Sequence, residues 1–309
     1  MTAAAATGWR ARRERTTVLG VRLLLWLAVL AGRGAARLVI RVVALYYTLA
    51  SPRARRAARA FLTRVGASSQ VGFGAVHRQI LRFAQVGLDA LYLLGGRIDQ
   101  FTITRTGYEH LARLREERRS AILLGAHLGS FYAMRAQGGE EGLPLYAVAY
   151  TRHARRINEV LEAIDPTSKT RVLQMGEGVD FMIKIRDLVE EGALIALLAD
   201  RVHSSERAVE VEFLGQPALF PTGPFLLAAT LRLPVYLTFG LYRDPDGYDL
   251  FCEPFADRIV LPRGRRQEAL RALVARYAAR LEHYCRLAPD NWFNFYDFWG
   301  EERESAGAT

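Results

Sequence analysis

The amino-acid sequence predicts an α/β fold: a mixed, mostly parallel sheet covered by helices, with an N-terminal membrane-associating helical segment. Three observations carry this expectation. From Phe101 onward, short apolar runs alternate with stretches of helical periodicity, the pattern of strands buried on both faces. Residues 121–126 (AILLGA) and 194–199 (LIALLA) have strand length and no polar face. The charge is also uneven. Of a formal net charge of +10, residues 1–64 hold +12, from thirteen arginines against the single acid Glu14, so the remainder carries −2. Those arginines are interleaved with apolar runs, which suits an anionic membrane surface better than nucleic acid.

The 309 residues, half of them apolar, suffice for one large or two small domains with a full core. Cys252 and Cys285 have no CxxC spacing, so neither a disulfide framework nor a zinc site is indicated. Residues 18–31 (VLGVRLLLWLAVLA) are apolar apart from Arg22, and Trp26 suits a headgroup boundary. Arg33 and Arg37 interrupt the pattern before a second apolar run at 38–49. Neither run reaches the ~18 uncharged residues of a spanning helix. The preferred reading is a retained anchor over residues 1–50, one helix or a helical pair, shallowly inserted or marginally spanning. A cleaved signal peptide and a pair of core helices are the alternatives. Residues 51–305 then form the α/β domain.

Within that domain, Pro52 opens a basic amphipathic helix with Phe61, Leu62 and Val65 on its apolar side. Residues 75–94 repeat apolar positions every three or four residues (Val76, Ile80, Phe83, Val86, Leu91), a helix on a core in which His77 reads as structural. The expected strands are 101–105, 121–126, 145–150, 171–174, 194–199 and 209–213, then 234–242 and 247–255 as a hairpin. The expected helices between and after them are 108–118, 131–136, 157–164, 180–191 (closed by Gly192), 222–231 and 267–287. The tail, 289–299, is dense in aromatics and reads as a closing layer of the core. Asn291, Asn294 and Asp297 within it need partners if buried.

Chemistry is expected at the strand ends. His127 follows the 121–126 strand, Arg152 the 145–150 strand, and Asp200 and Arg201 the 194–199 strand. Ends on one edge of a parallel sheet converge, so these four residues are candidates for a shared crevice. A histidine base, a carboxylate to orient it and arginines to hold an anion make a group-transfer site. Each has an ordinary reading too: a strand-terminating histidine, a solvated arginine face with Arg155 and Arg156, a capping aspartate. No G-x-S-x-G elbow and no P-loop occurs, and Gly72-Phe73-Gly74 lacks the context of a dinucleotide site.

His127-Leu128-Gly129-Ser130-Phe131 resembles the H-x-G-N-x-[DE] block of the lysophospholipid acyltransferase superfamily, in its lipid A lauroyl/myristoyl acyltransferase branch. Ala149-Tyr150-Thr151-Arg152 and Ala199-Asp200-Arg201 resemble further blocks of that branch. The most specific likeness is Phe213-Leu214-Gly215-Gln216-Pro217-Ala218 followed by Phe220-Pro221-Thr222-Gly223-Pro224, similar to its F-x-G-x-x-A…P-x-G-P stretch. The ending from Ala288 to Trp299 looks like a subgroup of predicted acyltransferases. The resemblance spans roughly residues 20–300.

The resemblance implies a membrane-associated acyltransferase on the cytoplasmic face of the bacterial inner membrane. An acyl group would pass from acyl-CoA or acyl carrier protein to a hydroxyl or amine of a lipid-type acceptor, without cofactor, metal or nucleic acid. His127 would be the base, with Arg152, Arg201, Gly129 and Ser130 contacting substrate. One position departs from the pattern: Tyr132 stands where the motif has Asp or Glu. Three readings follow. Asp200 orients His127 instead; the Tyr132 hydroxyl bonds the ring; or the chain is a catalytically degenerate homologue, a membrane-docked protein that binds lipid or acyl carrier.

Overall fold

The structure, a computed structural model, describes residues 32–66, 70–149, 171–174, 179–202 and 207–300. Three helices come first: α1 (Gly32–Ala50), α2 (Pro52–Arg64) and α3 (Phe73–Leu94). There follow β1 (Thr102–Thr106), α4 (Glu109–Glu116), β2 (Ala121–Gly125), α5 (Phe131–Glu140), β3 (Leu145–Ala149), β4 (Arg171–Gln174), α6 (Val179–Glu190) and β5 (Leu194–Leu198). The chain continues through β6 (Ala208–Phe213), β7 (Gln216–Pro221), α7 (Gly223–Leu231), β8 (Val235–Arg243), β9 (Gly247–Ala256) and α8 (Arg266–Leu287). The apolar run at 18–31 and the helix expected at 157–164 lie outside the described residues.

Among the described residues the main sheet runs β1-β9-β8-β2-β5-β3-β4. The β8–β9 hairpin is antiparallel and every other neighbouring pair is parallel, as the alternating pattern predicts. Every residue of β2 is buried, which explains why it carries no polar side chain. β6 and β7 form a separate antiparallel ribbon. β7 was not expected. Its two-residue turn places Leu214 (φ 54°) and Gly215 (φ 77°) in the left-handed region that primed hairpin turns require. Leucine there is rare, so the pair carries no turn signal in the sequence.

Helix α1 holds a second surprise. Arg33 and Arg37 do not interrupt it; they are part of it. Arg33 meets the fully buried Asp89 of α3, with Nη2 at 2.8 Å and Nε at 3.1 Å from Oδ1. Arg37 donates to the Pro245 carbonyl at 2.5 Å. Burial raises the Asp89 pKa, opposed by Arg33, Arg37 and the Tyr248 hydroxyl, which donates to its Oδ2 at 3.0 Å. Removing one partner of such a buried pair costs about 3–5 kcal/mol, so α1 is firmly docked on α3. It docks through Ala36, Ile40, Ala44 and Thr48. Leu38, Val42 and Tyr46, each two residues on and about half a helical turn away, and Leu49 stand 61–69% exposed. The helix is therefore apolar on both faces.

No single described helix is long and apolar enough to cross a membrane; α1 and α2 together reach that length and composition, but across a 94° bend. On α2, Ala54, Ala58, Phe61 and Leu62 face inward, while Arg53, Arg56 and Arg59 are exposed. Phe83 corrects one expectation. It is half exposed rather than in the core, although its ring meets Phe293 and Phe295 edge-on, with centroids 5.4 and 5.5 Å away.

Candidate active site

The site follows from the register of two strands. β2 and β5 run parallel with Gly125 beside Leu198, a separation of 73 residues. Two residues further on, the same separation sets His127 beside Asp200. The ladder continues into this extension, with the Ala199 amide donating to the Gly125 carbonyl at 3.0 Å. The Tyr277 hydroxyl of α8 donates to the same carbonyl at 2.7 Å, which braces the strand end from below.

His127 Nδ1 lies 2.8 Å from Asp200 Oδ1, and the His127 amide donates to Oδ2 at 3.1 Å. Oδ2 also accepts from Trp292 Nε1 at 3.2 Å and Asn294 Nδ2 at 3.0 Å. The Asp200 side chain is fully buried, whereas that of His127 is 28% exposed, so the ring bridges the interior and the surface. Burial alone drives the Asp200 pKa up. The charge and hydrogen bond of His127, then the charge of Arg201 and the Asn294 amide, overcome it and hold the carboxyl well below the usual carboxylate range. An ionised carboxylate only accepts, so the proton of the neutral imidazole sits on Nδ1 and the lone pair on Nε2.

The turn after His127 is shaped by close backbone approach. Gly129 has φ 66°, and a Cβ there would lie 1.9 Å from the Gly240 carbonyl oxygen of β8. The Gly129 amide donates to the Asn291 carbonyl at 2.8 Å and the Ser130 amide to the Gly240 carbonyl at 2.6 Å. The buried Ser130 hydroxyl accepts from the Ala133 amide at 3.1 Å and caps α5. Gly129 and Ser130, read from the sequence as substrate contacts, thus have structural occupations at the start of α5.

Tyr132, on the first turn of α5, makes no hydrogen bond to His127 among the described residues. Its ring packs edge-on against Phe131, centroids 6.1 Å apart, and burial pushes its hydroxyl pKa up, with Arg135 opposing. Arg201 turns toward the tail: Nε donates to Asn294 Oδ1 at 2.5 Å and Nη2 to the Phe293 carbonyl at 2.9 Å. Arg152 lies outside the described residues. The structure therefore brings His127, Asp200 and Arg201 together and sets Tyr132 aside from the ring. The sequence had not indicated Trp292 and Asn294 as partners of the acid. The available signal was the need of a buried asparagine among aromatics for a partner. No group of three or more His, Cys, Asp or Glu is placed to hold a metal ion among the described residues.

A surface-reaching imidazole tied to a buried carboxylate, at the carboxyl edge of a mostly parallel, helix-covered sheet, is the apparatus of a group-transfer enzyme. The family model for bacterial lipid A biosynthesis acyltransferases matches residues 90–300, more than half of the chain. The chain belongs to that family and is an acyltransferase acting on lipid. No curated protein matched the chain.

Proposed function

We propose that the protein moves a fatty acyl group from the thioester of acyl-CoA or acyl carrier protein to a hydroxyl or amine of an amphipathic acceptor. The reaction takes place at the cytoplasmic face of the bacterial inner membrane, with His127 as general base. The 2.8 Å contact between His127 Nδ1 and Asp200 carries this reading. Nε2 removes the proton of the acceptor group, whose oxygen or nitrogen attacks the thioester carbonyl carbon. The tetrahedral intermediate collapses with cleavage of the carbon–sulfur bond, and the leaving thiolate takes the proton back from Nε2. Asp200 fixes the tautomer and stabilises the imidazolium between these steps. With Asp200 in that role, Tyr132 needs no part in proton transfer. Arg152 is the residue we assign to donor or acceptor phosphate.

The reading is tested in membrane fractions given labelled lauroyl-, myristoyl- or palmitoyl-CoA, or the same acyl groups on acyl carrier protein. His127→Ala should lower transfer to lipid by about 10²–10⁴-fold. Transfer that survives the substitution removes His127 as base. Wild type that is inert while Tyr132→Glu is active identifies a degenerate homologue.

A further inference from the structure

We propose that Trp292 and Asn294 are positioning residues for acyl transfer, and that Arg201 sets the orientation of Asn294. This rests on the reading of His127 as base. The carboxylate of Asp200 has two oxygens with distinct surroundings. Oδ2 is occupied by three donors: the His127 amide, Trp292 Nε1 and Asn294 Nδ2. Oδ1 faces the imidazole Nδ1. The tail thereby pins the carboxylate by one oxygen and presents the other to the ring.

The direction of the Asn294 amide follows from chemistry. Arginine only donates and an ionised carboxylate only accepts, so Oδ1 of Asn294 faces Arg201 Nε at 2.5 Å and Nδ2 faces Asp200 at 3.0 Å. A flipped amide would set donor against donor at Arg201 and acceptor against acceptor at Asp200. Trp292 is held independently. Its carbonyl accepts from Gln79 Nε2 at 2.7 Å, and its ring packs against Phe61 (4.7 Å) and Phe298 (4.8 Å). Two supports of different origin thus converge on one buried oxygen.

Trp292→Phe keeps an aromatic ring in the cluster and deletes the N–H. Asn294→Leu keeps approximate shape and deletes the amide. Trp299→Phe is the control. Trp299 belongs to the same aromatic cluster, 6.0 Å from Trp292, but its Nε1 donates to the Phe213 carbonyl rather than to Asp200. Each lost bond to a buried charge should lower kcat by about 10- to 100-fold, with KM within about twofold. Trp299→Phe should leave kcat unchanged.

The second readout needs no substrate: nitrogen-15 NMR of full-length protein labelled at histidine. Wild type should show His127 with its proton on Nδ1, and the two variants a mixture shifted toward the Nε2–H tautomer. Folded Trp292→Phe and Asn294→Leu proteins with wild-type kcat and an unchanged tautomer overturn the proposal. So does a loss in Trp299→Phe equal to that in Trp292→Phe. If Asn294→Leu fails to fold, Trp292→Phe decides. Transfer that persists in His127→Ala refutes the base instead, while the NMR result still judges the positioning.

Discussion

Asp200 accepts hydrogen bonds from three residues while wholly buried, so its own substitution is the most informative at this scale. Asp200→Asn keeps the shape but offers no charge to an imidazolium, and its amide meets donors already in place. Transfer should fall by about 10³–10⁴-fold, as with orienting aspartates elsewhere, read as kcat with labelled donor. The same variant tests the electrostatics. The folded-state pKa of Asp200 is depressed, so its ionised form adds stability above the unfolded-state value, and that stability is lost as pH falls through the folded value. The difference in melting temperature between wild type and Asp200→Asn should therefore shrink on acidification from about pH 5 to about pH 2. A constant difference would remove the linkage. Asp200 was legible in the sequence because a charge-free strand delivers it. Its partners were not, because a tryptophan and an asparagine in an aromatic stretch look the same whether they fill a core or hold an acid.

At the scale of elements, the turn between β2 and α5 leaves no room for an added side chain. Gly129 combines a left-handed backbone with direct apposition to the Gly240 carbonyl. Gly129→Ala should cost about 3 kcal/mol or more, through strain and forced separation of β2 from β8, seen as a lower melting temperature and yield. A protein of wild-type stability would contradict the packing described. Most strands and helices were readable from periodicity, since β2 and β5 are short apolar runs and α3 repeats with helical spacing. Periodicity failed where its assumption failed. Helix α1 has two apolar faces, and arginines that look like interruptions are neutralised by Asp89 and held by Pro245, residues far along the chain. Phe83 fits the apolar repeat of α3 yet sits at its rim.

On the scale of the whole molecule, the outer face of α1 and the arginines of α2 meet at the bend after Ala50. An apolar ridge beside a cationic stripe is the composition of a surface that rests in a lipid headgroup layer. Replacing Arg53, Arg56 and Arg59 together by Gln should weaken binding to anionic vesicles by about 100-fold at low salt, at about 1 kcal/mol for each charge. Binding should change little on neutral vesicles. Leu38→Glu with Val42→Glu should weaken both, and wild-type flotation of both variants would place the contact elsewhere. The α/β class was visible from alternation alone, but the order of strands was not, because it is set by crossovers between segments distant in sequence. That distance also gives the molecule a schedule. Trp292 and Asn294 stand 92 and 94 residues beyond the acid they hold. A ribosome completes His127 and Asp200 well before the segment carrying Trp292 and Asn294 emerges. If those two residues position Asp200 as proposed, the full rate of transfer is reached only after the last segment of the chain has packed against the acid.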